Sequence, residues 1–246
     1  MNTTLEDARA LVRGLLPRVA EVSDVEVVVC PPFPWLVAIA ELLAGSAVKL
    51  GAQNLHTQDG GAYTGEVSGR MLAGLCQYVL VGQYERRIYF GDKDAIVRQK
   101  LLAAYKHGLR PILCVGETAD QLDEGSGGYV VASQLEAVLE ETPGIDGRLV
   151  VAYEPVWTTM GLVAPPPLSY VGDMCGVIRE TLGTLVPAEV AQAVRVVYGG
   201  QVSPRTIEAI SAESRIDGVL VGAASVHAEN FAGLVRAFSA TRLPQA

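Results

Sequence analysis

Short apolar runs alternate with longer amphipathic stretches along almost the whole chain. A capping-box pattern, Thr3-x-x-Glu6, opens it, and Leu5, Ala8, Leu11, Val12, Leu15 and Leu16 follow at helical spacing. The β-branched run at 25–29 comes next. It is closed by Cys30-Pro31-Pro32-Phe33-Pro34, where no helix can continue. Further apolar runs at 48–52, 78–81, 111–115, 149–153, 194–198 and 218–221 predict strands. Between them, 94–107, 130–139, 169–182, 203–212 and 228–238 carry the helical period. Runs that are apolar on both faces predict parallel, buried strands. Seven strands are expected, and the chain begins on a helix.

No Gly/Ser/Pro linker or low-complexity segment divides the 246 residues, so a single domain over 1–246 is expected. Strand–helix units of roughly 25–40 residues that never give way to strand-only runs favour an α/β barrel. Half the residues are apolar and 19% are charged, ample for a packed core. The formal charge of −8 argues against a nucleic-acid or anionic-membrane partner, both of which need a basic face. An anionic small molecule stays possible, because backbone N–H groups at helix starts hold anions whatever the net charge. Cys30, Cys76, Cys114 and Cys175 form no C-x-x-C pair and adjoin no histidine cluster. The expectation is no metal, no cofactor, and free thiols in a reducing cytosol. With no signal-peptide pattern and no apolar run near ~20 residues, a cytoplasmic location is expected.

In parallel α/β folds, chemistry gathers in the loops at the carboxyl ends of strands. The suggestive segments lie there: Gly82-Gln83-Tyr84-Glu85-Arg86-Arg87, Cys114-Val115-Gly116-Glu117-Thr118, Tyr153-Glu154-Pro155-Val156-Trp157, Tyr198-Gly199-Gly200-Gln201-Val202 and Val221-Gly222-Ala223-Ala224-Ser225. With the stretch from Gly51 to Ser68, they make six collinear motifs that resemble the triosephosphate isomerase family over essentially the whole chain. The resemblance implies a (β/α)8 barrel and an aldose–ketose isomerase of glycolysis and gluconeogenesis. Its substrate is a small phosphorylated sugar, and it is a homodimer without a cofactor.

By that resemblance Glu154 is the base that moves a proton between adjacent carbons of a hydroxy-carbonyl substrate. A carboxylate at an apolar strand tip is partly desolvated, which raises its pKa and its strength as a base. Its bland alternative is a carboxylate capping the next helix. Gln83 stands where the family reads histidine in V-G-H-S-E-R-R. An amide can donate to an enediolate oxygen but cannot relay a proton at neutral pH. Tyr84 puts a ring where a small hydroxyl is usual, and Glu85 matches a carboxylate that the family pairs with a lysine. In the lid, Met160 and Leu162 replace glycines while Gly161 remains, and Pro165-Pro166-Pro167 stiffen the far end. A rigid loop is the expectation there. The phosphate cradle maps onto Gly199, Gly200, Gln201, Gly222 and Ala223. Thr64, at the tip of the third loop, matches a residue that enters the neighbouring subunit. Cys114 reads as a packing thiol, and His56, His107 and His227 as surface or loop residues.

The family's first strand ends in N-W-K-M-N, and this chain starts at Met1-Asn2. Two explanations stand side by side: an internal methionine taken as the start, or a barrel without its first strand. Under the second, edges of the flanking strands are exposed. Glu85 then becomes protonated, pairs with an arginine or meets water. Three functional readings follow from these departures. One is a weakened sugar-phosphate isomerase, the second is enolisation of another small hydroxy-carbonyl compound, and the third is a non-catalytic paralogue.

Overall fold

The computed structural model describes residues 1–140, 142–159 and 165–242. Seven parallel strands form one sheet in consecutive order: β1 (Val28–Val29), β2 (Lys49–Ala52), β3 (Tyr78–Val81), β4 (Arg110–Val115), β5 (Val150–Tyr153), β6 (Arg195–Tyr198) and β7 (Gly218–Val219). All seven expected runs are strands, several trimmed by a residue or more at an end. The register steps steadily, for example Leu80↔Ile112 and Ile112↔Val150.

Side-chain alternation sorts each strand into two faces. Tyr78, Leu80, Ile112, Cys114, Val150 and Ala152 pack together inside the sheet. Their neighbours Val79, Val81, Leu113, Val115, Val151 and Tyr153 pack outward against the helices. The expectation of complete burial holds for β3 and β5 but not for β1 and β7, whose residues are only half-buried. The opening helix, Leu5–Val19, starts one residue later than Thr3-x-x-Glu6 implied. Its capping box is Thr4 with Asp7, because the Asp7 carboxylate reaches both the Thr4 N–H (2.9 Å) and its hydroxyl.

At the amino ends of the strands, charge closes the interior. Arg195 donates to Glu26 (2.7 Å) and to the Tyr78 hydroxyl (2.9 Å), and Tyr78 donates in turn to Glu26 (2.7 Å). A second cluster lies beside the long third loop. Lys100, on the helix Asp94–Lys106, donates to Asn54 (2.8 Å) and to Asp92, which also accepts from Arg86. Burial pushes the Asp92 carboxyl up, but the hydrogen bonds from Arg86 and Lys100 outweigh it and hold it below the usual range. Both ends of the Lys100–Asp92 pair are about 5% exposed or less. Removing Lys100 would take a charged hydrogen bond from the buried Asp92 carboxylate and leave it to the more exposed Arg86. Lys100→Met is therefore expected to cost about 3 kcal/mol, read as a lower urea midpoint with an unchanged slope. His107, expected at the surface or in a loop, lies in the turn that ends this helix, half-buried, and meets the Asp59 carboxylate at 2.6 Å.

Candidate active site

Glu154 has the same parity as Val150 and Ala152, so the alternation of β5 aims it inward over the barrel mouth. Its N–H donates to Val115 O (2.8 Å), which fixes its peptide to the end of β4. The side chain is 5% exposed. The Tyr84 N–H and the Cys114 thiol draw its pKa down, while Oε2 has no hydrogen-bond partner. Cys114 is packed in the inner cluster beside it. Burial, with the Glu85 charge nearby, pushes the Glu154 carboxyl up to about 8 against the pull of Tyr84, Cys114 and Arg87. A carboxyl raised that far, with one free oxygen, can exchange a proton near neutral pH.

Two glycines make room for it. A Cβ on Gly199 would stand 2.7 Å from Glu154 Cγ, and one on Gly116 would stand 1.8 Å from the Glu154 carbonyl oxygen. Gly116 is held from its other side by Gln134, whose amide accepts from the Gly116 N–H (2.9 Å) and donates to its carbonyl (3.1 Å). The next residue, Glu117, has the opposite parity and lies fully buried between sheet and helices. Its Oε1 accepts from Tyr153 (3.0 Å), Trp157 (2.9 Å) and Tyr170 (3.1 Å). Its backbone oxygen accepts the Val156 N–H (3.0 Å). The segment on both sides of Glu154 is thereby tied to one carboxylate.

Gln83 and Glu85 come to the same mouth from β3. Gly82 turns the chain at φ 73°, a left-handed conformation, with Cys114 O and the Arg87 guanidinium close above it. Gln83 then occupies the N-cap position of the helix Tyr84–Phe90, half-buried and without a side-chain cap hydrogen bond, and Glu85 sits in the first turn, also half-buried. Arg87 was not singled out in the sequence. It donates to Gly82 O (2.8 Å) and Asp94 (2.6 Å), so it locks the turn while lowering the Glu154 pKa. The signal for it was the second arginine of the motif, which sequence alone leaves indistinguishable from a surface charge.

The cradle residues divide. Gly199 is buried and its N–H donates to Tyr153 O (2.8 Å), so the expectation that it offers this N–H to an anion is corrected: it supplies space for Glu154. Gly200 is half-buried, with the Tyr198 hydroxyl lying against it. Gln201 Nε2 donates to Thr158 O (3.3 Å), joining the loop after β6 to the segment after Glu154. Gly222 and Ala223 are exposed beyond β7, at the start of the 3-10 turn Ala223–Val226. Thr64 is exposed on the third loop. The lid readings on Met160, Gly161 and Leu162 lie outside the described residues. Pro167 directly precedes the helix Leu168–Leu185. Among the described residues no cluster of His, Cys, Asp or Glu is placed to hold a metal ion, and no helix is long and apolar enough to cross a membrane.

What these groups define is an α/β barrel with a buried carboxyl at its mouth. Residues 1–238 match the family model for triosephosphate isomerase. The triosephosphate isomerase of Chloroflexus aurantiacus is 46% identical over 238 residues, covering 96% of this chain and 94% of that protein. Those of Moorella thermoacetica (46% over 237 residues, 96% and 94%) and Roseiflexus sp. (44% over 238 residues, 96% and 93%) are similarly close. The crystal structure of triosephosphate isomerase from Bartonella henselae superposes with a TM-score of 0.87 at 30% identity, covering 97% of this chain and 95% of that one. The chain belongs to the triosephosphate isomerase family.

Proposed function

We propose that this protein interconverts glyceraldehyde 3-phosphate and dihydroxyacetone phosphate through an enediolate, with Glu154 as the base. The observation that carries this reading is the buried Glu154 carboxyl with an unpartnered Oε2 at the mouth of the barrel. In the proposed cycle Oε2 takes a proton from one substrate carbon and returns it to the next, so one carboxyl serves both half-reactions. The Gln83 amide donates to the oxygen that gains charge, without relaying a proton itself. Gly200, Gln201, Gly222 and Ala223 form the phosphate end, to which the family resemblance also assigns Gly161. There backbone N–H groups rather than cations hold the anion, which suits a chain of net charge −8. No cofactor enters the cycle. A cytoplasmic homodimer accompanies this reading. It is supported by the exposed apolar side chains of Tyr63, Ile88, Tyr89 and Phe90 on the third loop and the helix after β3, with Thr64 at the centre of that loop.

Altered chemistry is favoured by one specific feature, the amide at Gln83, which leaves the enediolate oxygens without a proton relay. Activity below that of a histidine-bearing relative is therefore part of the proposal. A coupled isomerase assay across pH tests it. Glu154 must lose its proton to act, and its carboxyl stands at about 8. Hence kcat/KM is expected to climb with pH and level off above about 8. Turnover that is flat from pH 6 to 9 would remove Glu154 from the base position. No turnover by folded protein at any pH would favour the non-catalytic reading.

A further inference from the structure

β4 outruns β3. The ladder between them ends at Val81↔Leu113, and the chain then turns away at Gly82, while β4 continues to Val115 beside Tyr153 of β5. The peptide between Val115 and Gly116 therefore has a strand on one side only. A trans peptide points its carbonyl and its N–H in opposite directions. Val115 O accepts the Glu154 N–H (2.8 Å), so the Gly116 N–H faces the side that β3 has left.

Gln134 fills that place. Its Oε1 accepts the Gly116 N–H (2.9 Å) and its Nε2 donates to Gly116 O (3.1 Å). A side-chain amide carries the donor and the acceptor of a peptide group, so it can complete a ladder where a strand has left. The helix Gly127–Leu139 presents it firmly, because Val131, Leu135 and Val138 around it are fully buried. Hydrogen bonds then run in series from Gln134 Oε1 through the Val115–Gly116 peptide to the Glu154 N–H, and bonds in series strengthen one another. Gly116 lies so close to the Glu154 carbonyl oxygen that any movement of one moves the other. Glu117, the next residue, carries the bonds to Val156 and Trp157. Whatever fixes Gly116 thus fixes the backbone on both sides of Glu154.

We propose that Gln134 is a positioning residue for Glu154, holding residues 115–117 where they set the Glu154 carboxyl over the barrel mouth. The proposal rests on reading Glu154 as the base. A displacement of about 1 Å at a reacting group can cost about 10²-fold in rate, so an amide that fixes the backbone beneath the base acts on the chemistry without touching substrate. A structural role alone would require that the fold depend on this amide, and its surroundings argue otherwise. Gln134 and Gly116 are both half-buried and line an open cavity of about 370 Å³ with Tyr84, Arg87, Gln121 and Val156. Water there can pair with the Gly116 N–H and carbonyl when the amide is removed. The fold then survives the loss, while the position of the peptide does not.

Gln134→Met keeps the length of the side chain and removes both bonds. It is expected to lower kcat for glyceraldehyde 3-phosphate about 10²-fold, with KM within about twofold and the urea midpoint little changed. Gln134→Asn, one methylene too short to reach Gly116, is expected to do the same and stands in if the methionine variant does not fold. Gln121→Met removes an amide from the same cavity and is expected to leave kcat as it is. The Glu154 carboxyl supplies a readout independent of turnover. It is followed by carbon-13 NMR of glutamate-labelled protein and assigned by its loss in Glu154→Gln. Its titration midpoint, about 8 in the parent, is expected to fall toward the ordinary 4.5 in Gln134→Met, because the loosened segment lets water reach the carboxyl. An unchanged midpoint would overturn the proposal whatever happened to kcat, and so would an equal loss of turnover in Gln121→Met. Parent turnover that survives Glu154→Gln would refute the base instead. The midpoint in Gln134→Met would still decide whether Gln134 holds the carboxyl in place.

Discussion

Glu154→Gln is expected to abolish isomerase turnover, lowering kcat by at least about 10³-fold, while KM for glyceraldehyde 3-phosphate changes only a few-fold. The substitution keeps the shape of the side chain and its place against Gly199, and it removes only the group that carries the proton. A second measurement on the same variant tests the electrostatic account separately. The Glu154 carboxyl stands at about 8 in the folded protein, chiefly through burial, against an ordinary value of 4.5. Between those two pH values the unfolded chain has lost this proton and the native one keeps it. Native stability from this group therefore falls as pH rises from 4.5 to about 8. Glutamine has no proton to lose, so the variant should match the parent near pH 4.5 and exceed it in Tm at pH 8 to 9. A variant that is inactive but no more stable at pH 9 would keep the base and discard the buried-carboxyl explanation. Unchanged turnover would discard the base.

The order of strands was legible because apolar runs closed by Gly and Pro punctuate the chain so regularly. The run at 78–81 is a strand over those same residues, fully buried, because both faces have partners. The run at 25–29 shrank to Val28–Val29 for the opposite reason: among the described residues its outer edge has no ladder partner, and a ladder sustained from one side frays. Glu154 was picked out by the resemblance of its whole motif, because a strand-end carboxylate taken alone reads more readily as a cap on the next helix. Arg87 and Glu117 were not. Their importance lies in what they touch, Gly82 O in one case and three converging donors in the other, and those partners lie far apart in sequence or on other elements. Gly199 shows a subtler limit. A glycine after a strand reads as an anion-binding amide, yet the ladder had already engaged its N–H, and what mattered was its missing side chain.

Restoring a histidine at position 83 addresses the other half of the chemistry. Gln83→His is expected to raise kcat by about 10²-fold or more, within the 10²–10⁴-fold range that a positioned proton relay contributes. Gln83 sits half-buried at the N-cap position of the helix Tyr84–Phe90, and its neighbour Tyr84 is close enough to lower the Glu154 pKa, so position 83 lies near the proposed base. An imidazole there faces the positive end of that helix, which disfavours its cation and leaves the neutral ring that can donate to one oxygen and pass a proton to the next. The gain should appear in kcat with KM little moved, since the relay acts on the enediolate rather than on bound substrate. It should vanish in Gln83→His combined with Glu154→Gln, because a relay has nothing to relay until the base has made an enediolate. A gain that survived loss of Glu154 would mean that the imidazole had become a base itself. No gain in the parent background, with the fold intact, would place position 83 out of reach of the substrate oxygens. The family's two-group chemistry would then be confined in this chain to Glu154 alone.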